Sequence, residues 1–354
     1  MAEKIHVLGA GLSGMVAAIN LAHKGREVIV IEGAKKIGGM GGLHPSVHTT
    51  PIDPVWMSEQ VGINLTSSFQ MPNALHLALN ERIYSMGPRP MYCVERGHRK
   101  SAIDTLLYNE ACKAGVTFEF GQYLRDLREL PKGSIIATGL HPEMFDYFEI
   151  PFEIPRGFSS VQKSDREPWC AVLMSSYTDD YFYANCTNNL MYGLLFGRSR
   201  VTDEGLEKCR VDIQQKFGLD LEEWTFFTGR VPTGSAKNPR LFQDGYILAG
   251  TLAGAMDPTS LFGIHGAILS GKIAAEAVEN PDKAMREFKR MNRFYKIGYY
   301  LKELQKVMPF KLAIFEFNVN YPRFPMMKIS SLAVPGYPHG DWGYEMSKSR
   351  KRIA

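Results

Sequence analysis

Three glycines and one glutamate are the residues of this chain whose types and spacing bear most directly on chemistry. Gly9, Gly11 and Gly14 stand in the run Gly-Ala-Gly-Leu-Ser-Gly, and Glu32 follows Gly14 by 18 residues. In such a run the first glycine permits a tight turn, the second lets a diphosphate approach the backbone, and the third lets a helix pack closely on a strand. The elements that must hold them can be read on either side. Ile5, Val7 and Leu8 form a short apolar run before the turn, a helical pattern follows it, and Val28, Ile29, Val30 and Ile31 lead to Glu32. The order is strand, glycine turn, helix, strand. The helix start offers N–H groups and the positive end of its dipole to an anion. A carboxylate at the end of the second strand accepts the hydroxyls of an adenosine ribose and repels a 2′-phosphate, which disfavours NADP.

Ala18, Leu21, Gly25 and the pair Gly38-Gly39 continue the pattern around Glu32. With them, the first 42 residues resemble the FAD domains of the glutathione reductase-like flavoprotein superfamily, in which a second glycine pair follows the acid. That resemblance implies FAD as cofactor, held in this part of the chain by Gly9, Gly11, Leu12, Ser13, Gly14, Glu32, Gly33, Gly39 and Gly42.

Two later segments extend it. Arg96-Gly97-His98-Arg99 precedes a helical run with apolar positions from Ala102 to Ala114, ended by Gly115 before a strand over Val116–Phe120. Arg96, Arg99 and Asp104 look like an element that lies beside the flavin in geranylgeranyl reductase-like and aromatic-hydroxylase-like flavoproteins, and the resemblance assigns Arg99 to the cofactor. Ser134 to Gly139 is an apolar strand ending in Ala137-Thr138-Gly139, which resembles the second short motif of these proteins. Further on, Gly245 to Thr251, Asp257-Pro258, Gly263-Ile264, Ala267 and Ser270-Gly271 have the spacing of the geranylgeranyl reductase group. There the resemblance implies cofactor contacts from Gly250, Thr251, Asp257, Pro258, Gly263 and Ile264, with a helix N-terminus stabilising negative charge at the flavin pyrimidine edge. Two positions depart from the group. Thr251 stands where an Asp is usual, and Leu261 replaces the first glycine of the loop. The group's aromatic substrate motif of Tyr, Trp and Phe-Pro is not found, nor is a second dinucleotide fingerprint.

Composition bounds the rest. The 354 residues are 45% hydrophobic and 22% charged, enough for a large core. The first strand begins within five residues of Met1, and no apolar run approaches the roughly 18 residues of a membrane span, so a cytoplasmic protein is expected. Cys93, Cys112, Cys170, Cys186 and Cys209 include no CxxC pair, which argues against a disulfide framework, a zinc site or a dithiol centre. No metal is expected. From Asp282 onward there are 15 Lys and Arg against 6 Asp and Glu, a balance of +9 that leaves −5 for the rest. Its aromatics, from Phe288 to Phe317, alternate with the charges. This segment reads either as a solvated helix packed on the domain or as a peripheral contact with an anionic membrane; no nucleic-acid motif accompanies the charge.

Residues 43–95 read as turns and short strands, punctuated by prolines. From Pro142 to Pro232 the pattern turns to strands at 171–175, 181–186 and 190–196 with a helix at 203–217, and Tyr177, Tyr181, Phe182, Tyr183, Tyr192 and Phe196 are candidates to line an apolar pocket. The expected architecture is α/β: a Rossmann-like FAD-binding domain over 1–141 and 233–281, an inserted β-rich substrate domain over 142–232, and a basic helical segment over 282–354. The expected activity is hydride transfer between flavin and an apolar organic substrate, with an external electron donor or acceptor. A flavin monooxygenase, an amine oxidase or desaturase-like enzyme, and a flavin-binding electron-transfer protein are the alternatives. His44, beside the glycine-rich segment, and His265, in the loop after Gly263-Ile264, are the candidate proton-transfer groups.

Overall fold

A computed structural model describes residues 4–38, 43–73, 75–79, 82–86, 91–124, 126–198, 201–258 and 261–307. Gly39, Gly42 and the aromatics beyond position 307 lie outside the described residues. In chain order the elements are β1 (Ile5–Leu8), α1 (Leu12–His23), β2 (Val28–Glu32), β3 (Ser46–Pro51), α2 (Pro54–Val61), β4 (Phe69–Gln70), β5 (Leu75–Leu79), β6 (Arg82–Met86), β7 (Met91–Arg96), α3 (Ile103–Lys113), β8 (Thr117–Phe120) and β9 (Ile135–Ile136). They continue with α4 (Pro142–Tyr147), β10 (Arg156–Lys163), β11 (Trp169–Met174), β12 (Tyr181–Thr187), β13 (Leu190–Gly197), α5 (Asp203–Phe217), β14 (Trp224–Thr228), β15 (Phe242–Gln243), β16 (Tyr246–Leu248), α6 (Ile264–Glu279) and α7 (Pro281–Val307).

The first sheet has the order β15-β16-β9-β1-β2-β8 among the described residues. All its pairings are parallel except β15 with β16. A parallel sheet is covered on both faces, and the β-branched run of β2 is what such a strand needs. Helix α1 is buried along almost its whole length. It lies so close to α6 that a Cβ on Gly271 would sit 2.4 Å from the Ser13 carbonyl oxygen.

The second sheet runs β14-β10-β13-β12-β11-β5-β6, with β11–β5 its parallel pair. Strand alternation divides its residues. Phe182, Ala184, Met191 and Leu195 face Leu206, Cys209 and Ile213 of α5 in one core cluster, while Tyr183 and Tyr192 pack with Val47 of β3 on the other side. A third, small sheet, β3-β7-β4, lies against that second side.

Three expectations need correction. Strands β5 and β6 fall within 1–141 yet pair with the second sheet, so the β-rich layer is assembled from two stretches of chain rather than one insertion. Helix α4 with Phe148 and Ile150 falls within 142–232 yet packs in the core of the first sheet. Helix α2 breaks the expectation of turns and strands at 43–95. Asp53 caps it by accepting from the Val55 and Trp56 amides, Pro54 opens it, and Gly62 ends it in the left-handed conformation. Asp-Pro is a helix start when the apolar face behind it has somewhere to pack.

Helix α7 is not a detached tail over its described length. Ala284, Phe288, Met291 and Tyr295, at helical spacing, are buried in the first core. Lys283, Arg286, Lys289, Arg290, Arg293 and Lys296 stand on its exposed face.

Candidate functional site

The C-terminal ends of four adjacent parallel strands, β16, β9, β1 and β2, bring the predicted cofactor residues side by side. The ladder continues past the strands: the Gly9 amide donates to Ile31 O (2.8 Å), Ala137 to Leu8 O (2.8 Å) and Ala249 to Ile136 O (3.0 Å). These bonds hold the loops Gly9–Gly14, Ala137–Gly139 and Gly250–Thr251 in one row. Ligands of doubly wound sheets bind at such carboxyl ends.

The three glycines differ in the space around them. Gly9 has φ +106, and a Cβ there would meet Ala137 O at 2.5 Å; a Cβ on Gly14 would meet Gly9 O at 1.9 Å. Gly11 is open, its nearest neighbour 4.0 Å from that position. Two glycines close the protein's own packing and the middle one leaves a free surface, as a diphosphate requires. Leu12 and Ser13 begin α1 behind it, and Gly11, the cap residue, supplies no side-chain hydrogen bond to the helix start. Glu32 Oε2 accepts from the Ala10 amide (2.7 Å) and Oε1 from the Ala34 amide (2.8 Å). Its carboxylate is thus aimed by the loops, with lone pairs left for ribose hydroxyls. Gly33 lies against exposed Tyr123, which packs on His141 at 5.0 Å.

On the opposite side of the row, Gly250 has φ +69 beside Ser13 Oγ, and its amide donates to Ser270 Oγ (2.8 Å). The Thr251 hydroxyl, in the position where an acid was expected, donates to Gly139 O (2.8 Å) and ties the two loops together. The Thr138 hydroxyl is buried without a protein partner. Asp257 is buried and its amide donates to Phe262 O (3.1 Å), closing a loop over Pro258. In this loop Leu261 adopts φ +58, the left-handed region that its missing glycine would suit. Gly263 then opens α6 at Ile264 with no side-chain cap.

Arg96 forms a two-pronged pair with buried Asp104 (2.8 and 2.9 Å), and the Gly97 amide adds a third bond to the same carboxylate (2.9 Å). Burial alone would raise the Asp104 pKa, but the Arg96 charge and these bonds outweigh it and hold the carboxyl below its usual value. Arg99 faces protein partners: it donates to Asn188 O (2.9 Å) and pairs with buried Glu95 at 3.3 Å. It joins β7 to the β12–β13 turn.

The two candidate histidines differ sharply. His265 belongs to the first turn of α6 rather than to a loop, is 2% exposed, and stacks on Trp56 of α2 at 6.3 Å. Burial pushes its pKa down to about 3. It is a core residue. His44 is half-buried and lines a cavity of about 90 Å³ with Leu43, Pro45, Ser159, Tyr192 and Glu223. Its Nδ1 lies 2.7 Å from Ser46 Oγ; that oxygen lies 2.9 Å from His48 Nε2, and His48 Nδ1 lies 3.1 Å from the Tyr183 hydroxyl. Burial, then the Arg96 charge, lowers His44 to about 4 against an opposing effect of Asp104; burial dominates again in lowering His48 to about 3.

Of the six aromatics expected to line a pocket, Tyr181, Tyr183, Tyr192 and Phe196 share this face, with Tyr183 and Tyr192 6.1 and 5.8 Å from the His48 ring and Phe196 4.7 Å from Tyr181; Phe182 points into the core beneath α5. Ser46 and His48 were missing from the expected site. Their signal is the spacing Ser46-His48, which puts both on one side of β3, with His44 preceding the strand across the cis His44–Pro45 bond.

Residues 7–44 match the family described as the NAD(P)-binding Rossmann-like domain. A geranylgeranyl bacteriochlorophyll reductase-like protein from Thermoplasma acidophilum is 17% identical, superimposes with a TM-score of 0.69, and is covered over 100% of both chains. A flavoprotein/dehydrogenase from Cytophaga hutchinsonii is also 17% identical, with a TM-score of 0.61 over 99% of this chain and 98% of that one. The flavin-dependent halogenase CmlS is 16% identical, with a TM-score of 0.58 over 100% of this chain and 70% of that one. The chain has their fold. No curated protein matches the sequence.

Proposed function

We propose that the protein is an FAD-dependent oxidoreductase acting on an apolar organic substrate, in the manner of the geranylgeranyl reductase group. The observation that carries this reading is the row of three strand-end loops beside Glu32, in which packing consumes Gly9 and Gly14 while Gly11 stays open and Glu32 is aimed by two backbone amides. In this reading the N–H groups at the start of α1 hold the diphosphate, Glu32 the ribose, and the uncapped start of α6 at Gly263 and Ile264 the pyrimidine edge of the ring. Bound FAD supplies hydride transfer at its N5. The chain's own residues orient the cofactor, exclude water, and offer Tyr181 and Tyr183 as a substrate-facing surface on the second sheet. Electrons come from, or go to, an external partner, since a second dinucleotide fingerprint is not found. The exposed basic face of α7 gives such a protein a means of contacting an anionic membrane that holds an apolar substrate. Among the described residues no helix is long and apolar enough to cross a membrane.

The test is spectroscopic. Purified protein is expected to be yellow or to turn yellow on adding FAD, and to be reduced anaerobically by a nicotinamide or by a candidate substrate. A colourless protein that takes up no FAD overturns the proposal. Oxygen consumption coupled to NAD(P)H oxidation would move it to the monooxygenases.

A further inference from the structure

His44, Ser46, His48 and Tyr183 form one unbroken hydrogen-bonded line, with steps of 2.7, 2.9 and 3.1 Å, from a cavity at the edge of the second sheet into the interface between that sheet and β3. The first three residues come from one side of β3 and its approach, and the last from β12. Asn185, two residues along β12 from Tyr183, fixes the separation of the strands: its amide donates to Val47 O (3.1 Å) and its oxygen accepts from the Thr49 hydroxyl (2.7 Å), on either side of His48. The cavity at the outer end, about 90 Å³, has room for several waters. At the inner end the Tyr183 ring lies 6.2 Å from Tyr181.

We propose that this line is a proton relay, in which Tyr183 is the terminal donor to a reacting substrate and His48, Ser46 and His44 reload it from water in the cavity. The inference rests on the reading of the site as a redox site, since adding a hydride to carbon calls for a proton to complete the reduction. Two arrangements of hydrogens, one the reverse of the other, satisfy every contact, and the relay starts from the first. His44 Nδ1–H donates to Ser46 Oγ, the Ser46 hydroxyl donates to His48 Nε2, His48 Nδ1–H donates to the Tyr183 oxygen, and the Tyr183 hydroxyl is left to face the substrate. When Tyr183 gives up its proton, the phenolate takes that of His48 Nδ1. His48 Nε2 takes that of Ser46, Ser46 takes that of His44 Nδ1, and His44 Nε2 takes one from water. Each ring loses one proton and gains one, so both stay neutral and one proton crosses; the line is left in the reverse arrangement, and the two rings return to the first tautomer before the next transfer. The reverse sequence serves an oxidation.

The surroundings suit that traffic. A neutral imidazole has one donor and one acceptor, whereas an imidazolium has two donors and would block the line. Burial keeps both rings neutral, aided by the Arg96 charge against the opposing Asp104, and by His44 in the case of His48. Burial, with Tyr192, Tyr181 and Cys170 nearby, keeps Tyr183 a phenol. Glu223 on the cavity wall is the carboxylate at the entrance.

Proton exchange tests the relay without a substrate. In the full-length protein labelled with 15N-histidine, both rings are expected to be neutral at pH 7. Exchange of the His48 ring N–H proton with water, read by saturation transfer, should slow by about tenfold or more in Ser46→Ala, which removes a carrier, and in His44→Asn, which keeps a donor but cannot pass a proton. Ser46→Thr should restore it, and backbone amide exchange in β3 and β12 should not change. Unchanged His48 exchange in both cutting variants overturns the relay, as does a change that follows the amides, which would mean exchange by opening of the strands. Flavin content, read from the absorbance of the same samples, reports separately on the cofactor reading.

Discussion

At the strand ends of the first sheet the contacts that fix the site are made by main chain. Gly9, Ala137 and Ala249 donate amide bonds across neighbouring strands, and even the Glu32 carboxylate is aimed by two backbone N–H groups. Across the interface between β3 and β12 the work falls to side chains, with Asn185 spacing the strands and His44, Ser46, His48 and Tyr183 bonded in line. A loop held by its backbone needs particular glycines at particular spacings and tolerates change in most other side chains. A line of side chains needs every member, but its members can lie anywhere the fold brings together. The first kind of site is sensitive to added volume and the second to lost hydrogen bonds.

The largest expected effect lies where the two regions meet, at the Arg96–Asp104 pair. Arg96→Ala leaves a buried carboxylate without its partner and should cost about 3–5 kcal/mol in denaturant unfolding at pH 7. Because the folded Asp104 carboxyl lies below its ordinary value, the stability it contributes is fully present above about pH 4 and is lost as pH falls through the folded value. The variant should therefore lose less stability than the parent on acidification below pH 4. An equal acid response in both would remove the pair from the account.

Glycine substitutions separate packing from binding. Gly14→Ala puts a methyl 1.9 Å from the Gly9 carbonyl oxygen and should destabilise by about 3 kcal/mol, since backbone has to move. Gly11→Ala meets nothing closer than 4.0 Å. It should unfold within about 1 kcal/mol of the parent while weakening FAD, because the methyl occupies the face left for the diphosphate. Similar losses of stability in both would mean that Gly11 serves packing alone.

Glu32→Ala should weaken FAD by about 1.5–3 kcal/mol in a titration followed by flavin fluorescence, through loss of a charge-assisted ribose contact. Unaltered FAD affinity would reduce the carboxylate to a clamp for the Ala10 and Ala34 amides. The smallest effect is expected at Leu261. Left-handed backbone costs a non-glycine residue roughly 1–2 kcal/mol, and glycine's extra freedom in the unfolded chain returns about 0.4–1 kcal/mol of that. Leu261→Gly should thus raise the unfolding free energy by about 0.5–1 kcal/mol. A loss of stability there would show that the leucine side chain contributes more than its backbone costs.

These differences also explain which parts of the molecule could be read in advance. The strand-turn-helix-strand unit, the helix at 203–217 and the strands around 171–196 follow from local period and from turn residues, and the structure has them at or near the expected limits. The domain boundaries did not follow, because β5 carries no mark that it will pair with β11, 95 residues later in the chain, with β6 added beyond it. Nor did α7 reveal which of its aromatics it buries. His265 looked like a loop residue because its neighbours Gly263 and Gly266 suggest a turn; in the fold Gly266 lets α6 run close to Ala255, where a Cβ would meet the carbonyl oxygen at 2.1 Å, and the histidine is pressed against Trp56.

The sequence by itself determined the nucleotide-type turn, the acid at the end of the second strand and the α/β class, since each depends on backbone conformation or period over a few residues. It also carried the departure at Leu261, although only the backbone angle turned that departure into strain. The tertiary structure alone decided that Thr251 bonds to Gly139, that Arg99 is taken up by Glu95 and Asn188, and that His48 meets Tyr183 across 135 positions of chain. Hydrogen bonds between distant side chains depend on strand register and sheet packing, and those are settled by the burial of the whole apolar surface rather than by any local pattern.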